Sequence, residues 1–199
     1  NQLLSNIPAS GRVAAVCDAD ARKTAAAAKA HQANWSIHQD YRRMLDRGDL
    51  DAVLVCACDH HHVLAGMLAC QAGKDIYVEK PLSLYVREGR ALVRAARKYG
   101  RVAQTGTQQR TMEMNQFACE LVRNGYIGEL ERIRTPIGLN NKVGPGPGWE
   151  PMPVPEGFDY DMWLGPAPEK PYHESRCIYK FRFILDYSGG QVTNLGAHG

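Results

Sequence analysis

The feature that most constrains the fold is an alternation, over residues 12–105, of short apolar runs with longer amphipathic runs. Unbroken apolar runs such as Arg12–Cys17 and Asp51–Cys58 predict strands that are buried on both faces. The runs between them predict helices, for example the alanine-rich stretch Asp20–Ala33 and the stretch Ser83–Tyr99. Strands that alternate with helices predict an α/β fold with a parallel sheet, and such a sheet binds ligands at the carboxyl ends of its strands.

The second half of the chain, from Gly106, has a different pattern. A helix is predicted at Met114–Asn124 and a strand at Leu130–Leu139, and the proline-rich stretch Asn140–Pro171 is predicted to be a loop. We therefore predict two domains, residues 1–105 and residues 106–199. The other predicted elements are helices at Asp40–Arg47 and His61–Ala72 and strands at Ile76–Val78 and Val102–Thr105.

Composition and charge exclude several classes of protein. The net charge of +3 is small and the basic residues are scattered, so no nucleic-acid partner is predicted. The longest apolar run is far shorter than the ~18 residues of a membrane helix, so no membrane span is predicted. Six cysteines without regular spacing predict free, buried thiols in a reducing compartment, the cytoplasm. The chain begins at Asn1 rather than at methionine, so export to the periplasm stays open.

Asp18 directly follows the first predicted strand. In dinucleotide-binding folds, an acid at the end of the second strand accepts hydrogen bonds from the adenosine ribose and disfavours a 2′-phosphate. The alternative, a turn or cap residue before the next helix, has equal weight at this point. The glycine fingerprint expected roughly 20 residues earlier would precede Asn1. The glycines of Gly144–Trp149 do not replace it, because prolines interrupt them.

A group of metal-ligand residue types lies at and after the end of the strand Asp51–Cys58, namely Cys56, Cys58, His60, His61 and His62. Their spacing does not match the pairs that zinc sites favour, so no metal is predicted. We assign the two cysteines to the core. The histidines are placed at the carboxyl end of the strand, where ligands bind.

The run Glu79-Lys80-Pro81 follows another predicted strand. A lysine at that position can direct a partly desolvated ammonium into a crevice and polarise an oxygen or relay a proton. The alternative is an exposed charged turn, which the local sequence alone favours. In the last segment, Asn194 and His198 are four residues apart, so on a helix they would share a face.

Taken together, these residues resemble the glucose-fructose oxidoreductase, inositol dehydrogenase and rhizopine catabolism family (Gfo/Idh/MocA). Several matches in the right order are more specific than any one of them. The stretches that carry the resemblance are Asp18, Cys58–His62, Ala72–Pro81, Gly106–Arg110, Trp163–Pro168 and Gly189–His198.

The resemblance implies an N-terminal Rossmann domain followed by an α/β domain with an open, mostly antiparallel sheet. It implies that the first strand and the glycine loop of the Rossmann domain are missing, and that the chain is a fragment truncated at both ends. The second domain would cover the active site and form the interface of a homo-oligomer.

The resemblance also implies chemistry: hydride transfer between a secondary hydroxyl of a sugar, polyol or related cyclic compound and NAD. His198 would be the acid/base and Lys80 would polarise the substrate oxygen. Asn194 stands where many members have aspartate, so it can hydrogen-bond a substrate but carries no charge. Arg22 and Lys23 leave NADP open. The implied cofactor-binding residues are Asp18, Cys58, His60, His62, Glu79, Lys80 and Gln108.

Two other functions fit the same residues. Some relatives use bound NAD to hydrolyse glycosides through transient oxidation, and others keep the fold as non-catalytic NAD-binding proteins. The presence of both Lys80 and His198 favours an enzyme, whereas Asn194 favours the non-catalytic alternative.

Overall fold

The computed structural model describes residues 4, 6–136 and 144–198. Five strands form two parallel sheets, and in each pair of neighbouring strands the paired residues follow one another without a break. One sheet has the order β1–β2 and the other has the order β3–β4–β5. Within the described residues, β1 therefore pairs only with β2 and β3 pairs only with β4. The strands are β1 Ala15–Cys17, β2 Ser36–His38, β3 Ala52–Val55, β4 Asp75–Glu79 and β5 Ala103–Gly106.

The described residues contain seven α-helices. In the first half of the chain, every α-helix and every strand except β2 corresponds to a predicted element. Asp40 caps the helix Tyr41–Leu45, since its side chain accepts a hydrogen bond from the Arg42 backbone. Gly73, at φ 76°, follows the end of the helix His62–Gln71. The helices are α1 Ala21–Ala30, α2 Tyr41–Leu45, α3 His62–Gln71, α4 Val86–Lys98, α5 Glu113–Arg123, α6 Tyr160–Leu164 and α7 Gln191–Asn194.

The main core lies on one face of the three-stranded sheet. Val53 and Val55 of β3 and Val78 of β4 are buried, in a cluster that includes apolar residues of α3 and α4. The expectation that β3 is buried on both faces is wrong, because its side chains alternate between exposed and buried. Leu54 is 42% exposed, since α3 and α4 pack on the opposite face.

A second core is built from aromatic residues of the second half and lies against the turn after β3. It contains Trp163, Leu164, Tyr172, Cys177, Phe181 and Tyr187, all buried. Cys58 and Ala19, which follow the strands β3 and β1, pack against it. The second half of the chain is thereby placed over the carboxyl ends of the strands, the edge at which ligands of parallel sheets bind.

Two expectations about the second half of the chain are corrected, and a third stays untested. Residues 130–136 of the predicted strand Leu130–Leu139 do not form a strand, since no described segment pairs with them, and residues 137–139 lie outside the described residues. The predicted loop Asn140–Pro171 contains α6, which Asp159 caps. Among the described residues after Gly106 there is no strand, so the antiparallel sheet and the two-domain division stay predictions.

The cysteines are free, as predicted, but they are not all buried. Cys70 and Cys177 are buried, whereas Cys56 and Cys119 are exposed. Cys56 lies outside the core because β3 ends at Val55. None of the helices in the described part of the chain has the length and apolar character needed to cross a membrane.

Candidate active site

Lys80 lies directly after β4, at the carboxyl end of the three-stranded sheet. Its ammonium donates hydrogen bonds to both oxygens of Asn194, at 2.5 Å to the backbone O and 3.2 Å to Oδ1. Lys80 is half-buried, so it is not the exposed charged turn that the local sequence favours. The structure thus brings together two of the residues that the sequence singled out, although they are 114 positions apart.

Burial lowers the pKa of the Lys80 ammonium. The carboxylate of Asp59 is the largest influence that opposes this lowering, and Glu79 acts in the same direction. The guanidinium of Arg182 lowers the pKa of Lys80 further. Lys80 therefore lies among charges of both signs, where its proton is held less tightly than in water. We call Lys80 together with Asp59, Glu79 and Arg182 the Lys80 group.

His198 borders the same group. It lies on a short 3-10 turn, Gly196–His198, rather than on a helix shared with Asn194, because α7 ends at Asn194. Its Nδ1 atom is buried and has no hydrogen-bond partner among the described residues. Burial lowers the pKa of His198 and the nearby charge of Lys80 lowers it further, whereas Glu79 opposes the shift. A neutral imidazole with an unpaired nitrogen is suited to accept a proton.

Glu79 packs across the sheet onto β5. A Cβ atom at Gly106 would lie 2.8 Å from both Glu79 Oε1 and the Tyr77 hydroxyl, so any other residue here would push these two side-chain ends aside. Burial raises the pKa of Tyr77, and the neighbouring Glu79 adds to this rise. The absence of a side chain at Gly106 therefore leaves space for the carboxylate of Glu79, the residue before Lys80.

The three histidines after β3 have different surroundings. His62 is 1% exposed, and its ring nitrogens lie 2.6 Å from the Pro81 carbonyl oxygen and 3.0 Å from the Ala57 carbonyl oxygen. It therefore links the turns after β3 and β4. His60 and His61 both contact the carbonyl oxygen of Trp163, at 3.1 and 2.7 Å.

His60 belongs to the aromatic core rather than to the Lys80 group. Its ring centroid lies 5.5 Å from that of Trp163 and 5.1 Å from that of Tyr187. Burial lowers the pKa of His60 to about 4, and the adjacent His61 contributes to this shift. Burial also lowers the pKa of His61. This pair of neutral rings packs the second half of the chain onto the turn after β3.

Two further predicted residues lie at the margin. Burial raises the pKa of the Cys58 thiol to about 12, so it is unreactive at neutral pH. Gln108 is exposed on the 3-10 turn Gln108–Thr111, which packs against the turn that carries His198. In the described part of the chain, no group of three or more histidine, cysteine or acidic side chains has an arrangement suited to a metal ion.

Asp18 lies at the carboxyl end of β1, in the other sheet. Its Oδ1 accepts a hydrogen bond of 2.9 Å from the Asp20 backbone, and its Oδ2 lies 3.9 Å from Lys23 Nζ. Asp18 lines an open cavity of about 560 Å³ between β1 and α1. The guanidinium of Arg22 is held by Asp20 through hydrogen bonds of 2.7 and 2.8 Å.

Asp59 and Ser188 were not singled out from the sequence. Asp59 is 6% exposed, and its Oδ2 accepts a hydrogen bond of 2.5 Å from the Ser188 hydroxyl. Burial raises the pKa of Asp59, while the Ser188 hydrogen bond and the charge of Lys80 oppose this rise. The signal that could have found Asp59 is a carboxylate in the turn after an apolar strand; nothing in the local sequence marks Ser188.

Comparison with known proteins identifies the class defined by this fold and site. Residues 2–107 match the model of an oxidoreductase family with an NAD-binding Rossmann fold. Residues 139–199 match the C-terminal alpha/beta domain of the same oxidoreductase family. The chain therefore carries an NAD-binding Rossmann fold of the class that these oxidoreductase family models describe. It belongs to the Gfo/Idh/MocA family, so the resemblance, the fold class and the NAD cofactor predicted from the sequence are confirmed.

Individual relatives are consistent with this assignment. The chain is 32% identical over 127 residues to an uncharacterized oxidoreductase of Bacillus subtilis, covering 64% of this chain and 37% of that protein. It is 31% identical over 116 residues to D-glucoside 3-dehydrogenase of Escherichia coli, covering 58% and 33%. A solved structure of scyllo-inositol dehydrogenase from Lactobacillus casei with NAD(H) and scyllo-inositol superposes with a TM-score of 0.58 at 21% identity, covering 64% and 38%. The chain thus spans less than two fifths of the length of these proteins.

Proposed function

We propose that the protein is an NAD-dependent dehydrogenase that oxidises a secondary hydroxyl of a sugar, polyol or related cyclic compound. The observation that carries the proposal is the juxtaposition of Lys80, Asn194 and His198 at the carboxyl end of β4. A neutral imidazole can remove the proton of an alcohol, and a neighbouring ammonium stabilises the negative charge that develops on its oxygen. The two-domain division and a homo-oligomeric state are part of the same proposal.

Each of the three side chains has a distinct role in the proposed reaction. Lys80 donates a hydrogen bond to the substrate hydroxyl oxygen and stabilises its developing negative charge. His198 accepts the hydroxyl proton at its unpaired Nδ1. Asn194 orients the Lys80 ammonium and hydrogen-bonds the substrate, without adding charge. When bound, NAD supplies the hydride acceptor.

The residues around the strand ends fit a nicotinamide dinucleotide. At the β1 end, Asp18 borders an open cavity and would accept hydrogen bonds from the adenosine ribose. At the β4 end, His198 has a buried Nδ1 without a hydrogen-bond partner among the described residues and is close enough to Lys80 for the charge of Lys80 to lower its pKa. NAD is favoured over NADP because Arg22 is already paired with Asp20. The residues proposed to line the cofactor are Asp18, Cys58, Glu79, Lys80 and Gln108. His60 and His62, which the resemblance also implied, are buried in contacts within the protein and are not proposed to contact the cofactor.

The proposal is tested with the full-length protein. Calorimetric titration with NAD and NADP is followed by a panel of sugars, polyols and glycosides, read at the nicotinamide absorbance. Reduction of NAD by any polyol or sugar supports the dehydrogenase. Tight NAD binding with glycoside cleavage and no net reduction would replace it by NAD-assisted hydrolysis. Binding without any turnover would favour a non-catalytic protein, the alternative that the neutral Asn194 suggests.

The role of Asp18 is tested by Asp18→Ala. Loss of the ribose acceptor is expected to weaken NAD binding by about ten-fold, the equivalent of one hydrogen bond to a charged group. NADP binding should weaken less or improve, because the repulsion of the 2′-phosphate is removed. Calorimetry with both cofactors measures the change, and Asp161→Ala, at an exposed acid of α6, is the control. Equal weakening for the two cofactors would contradict a ribose contact.

The pKa of His198 predicts the pH dependence of turnover. His198 acts as a base only when neutral, so activity is lost as the pH falls through its pKa. Because burial and Lys80 hold that pKa below its ordinary value of 6.5, the acidic limb of kcat/KM is expected below pH 6.5. In Lys80→Met the His198 ring should titrate at higher pH, which NMR of the ring protons measures. An acidic limb above pH 6.5 would argue against His198 as the base.

A further inference from the structure

We infer that Asp59 is a positioning residue for Lys80, because its carboxylate anchors the segment that carries Asn194 and His198 and supplies the counter-charge that position 194 lacks. The inference rests on the proposed function and adds a buried acid to it. Asp59 does not reach the substrate in this proposal. It acts through Ser188 and through the charge of Lys80.

Two hydrogen bonds hold the segment 188–194 to the ends of two neighbouring strands. Asp59 follows β3 and bonds Ser188, while Lys80 follows β4 and bonds Asn194. β3 and β4 are hydrogen-bonded to each other, and Ser188 and Asn194 lie six positions apart on one continuous segment. Both contacts are long-range in sequence, 129 and 114 positions. Each strand end therefore holds one end of the segment.

The hydrogen bond between Asp59 and Ser188 is buried. Asp59 is 6% exposed and Ser188 is fully buried, so water does not compete for the hydrogen bond between them. Between the two anchors lies Gly190, at φ 76°, where the backbone turns into α7. Loss of the Asp59–Ser188 hydrogen bond would free the start of α7, and with it Asn194, to move away from Lys80.

The charges around Lys80 give Asp59 a second role. Lys80 is bonded by a carbonyl and an amide oxygen of Asn194, and neither is negative. The acids that act on the ammonium are Asp59 and, more weakly, Glu79. Lys80 and Asp59 each hold the other closer to its charged form against the effect of burial. The carboxylate in the turn after β3 is thus the largest acidic influence on the Lys80 ammonium.

The experiment separates the charge of Asp59 from its hydrogen bond. Asp59→Asn keeps an oxygen that accepts from Ser188 and removes the charge, whereas Ser188→Ala keeps the carboxylate and removes the donor. Asp49→Asn, at an exposed acid paired with Arg47, is the matched control. The full-length protein is compared in all forms by the pH profile of kcat, by KM for NAD and by NMR titration of lysine side chains, with Lys80 assigned through Lys80→Met.

In Asp59→Asn, Lys80 is expected to titrate at lower pH, and the basic limb of kcat should move down with it. The other charged groups around Lys80, which are Glu79, Arg182 and His198, are unchanged in this variant. In Ser188→Ala, kcat should fall by about ten-fold with KM for NAD within about two-fold, because the segment carrying Asn194 is less well held. Amide hydrogen exchange over residues 190–198 should be faster.

Several results would overturn the inference. An unchanged Lys80 titration and pH profile in Asp59→Asn would show that Asp59 does not act on the lysine charge. Unchanged amide exchange over residues 190–198 in Ser188→Ala would show that the Asp59–Ser188 hydrogen bond does not hold the segment. This measurement remains decisive even if Asp59→Asn fails to fold. Titration and exchange need no turnover, so they decide the inference separately from the proposed dehydrogenase activity.

Discussion

Replacing Lys80 with methionine is expected to lower kcat for hydride transfer by about 10²- to 10⁴-fold, the range lost when a positioned acid–base group is removed. Methionine has a similar length and volume, so the half-buried space at the end of β4 stays filled. What is lost is the ammonium, the group that donates to both oxygens of Asn194 and that is proposed to polarise the substrate hydroxyl. NAD affinity should change by no more than about three-fold, since other residues are proposed to make most of the contacts to the dinucleotide.

Single-turnover kinetics and calorimetry on the full-length protein measure the two effects separately. Lys98→Met, at an exposed position at the end of α4, controls for the loss of a positive charge and should leave both values unchanged. Full activity in Lys80→Met would remove Lys80 from the reaction. A proportional loss of NAD binding would instead make Lys80 a cofactor-binding residue only.

Acidification is expected to destabilise the chain through His60. The pKa of His60 in the folded protein is about 4, whereas the ordinary value is 6.5. Between these values the unfolded chain takes up a proton that the folded chain does not. Stability is therefore complete above pH 6.5 and falls as the pH decreases towards 4. The loss amounts to about 3 kcal/mol for one group, since each pKa unit corresponds to about 1.4 kcal/mol.

His60→Gln tests this linkage, because an amide can still donate to the Trp163 carbonyl but does not titrate. Urea unfolding between pH 7.5 and 4 measures the free energy of unfolding, and the pH-dependent loss in the variant should be smaller by about 3 kcal/mol. His61 continues to titrate in the variant, so some pH dependence remains. His31→Gln, at an exposed position, is the control. An identical pH dependence in wild type and His60→Gln would contradict a buried neutral His60.

The first half of the fold was predictable from local patterns because its elements are specified locally. Asp40 caps α2 and Gly73 ends α3, and in each case the signal and the structure involve neighbouring residues. β2 was missed because three residues, Ser36–His38, contain one apolar side chain and carry no periodicity. The predicted strand Leu130–Leu139 has strand composition, but strands also require a partner, which composition does not specify.

The candidate site was predictable only in part, for a related reason. Lys80 and His198 stand in stretches that resemble a family, so their residue types and their order along the chain were enough to select them as candidate site residues. Asp59 and Ser188 are joined across 129 positions, and no local pattern records such a contact. His60 shows the opposite limit: its residue type suggested a ligand contact, whereas the fold surrounds it with Trp163 and Tyr187.

The division of the strands into two sheets has a consequence for handling the chain. β1 and β3 each present one row of backbone amides and carbonyls that no described strand satisfies. Natural proteins protect such rows with lysine, proline or a bulge, and the sequence of β3, Ala-Val-Leu-Val, has none of these. β2 and β5 each present one such row as well, so the described part of the chain has an unpaired edge at both ends of each sheet, where an added strand would extend it by β-augmentation.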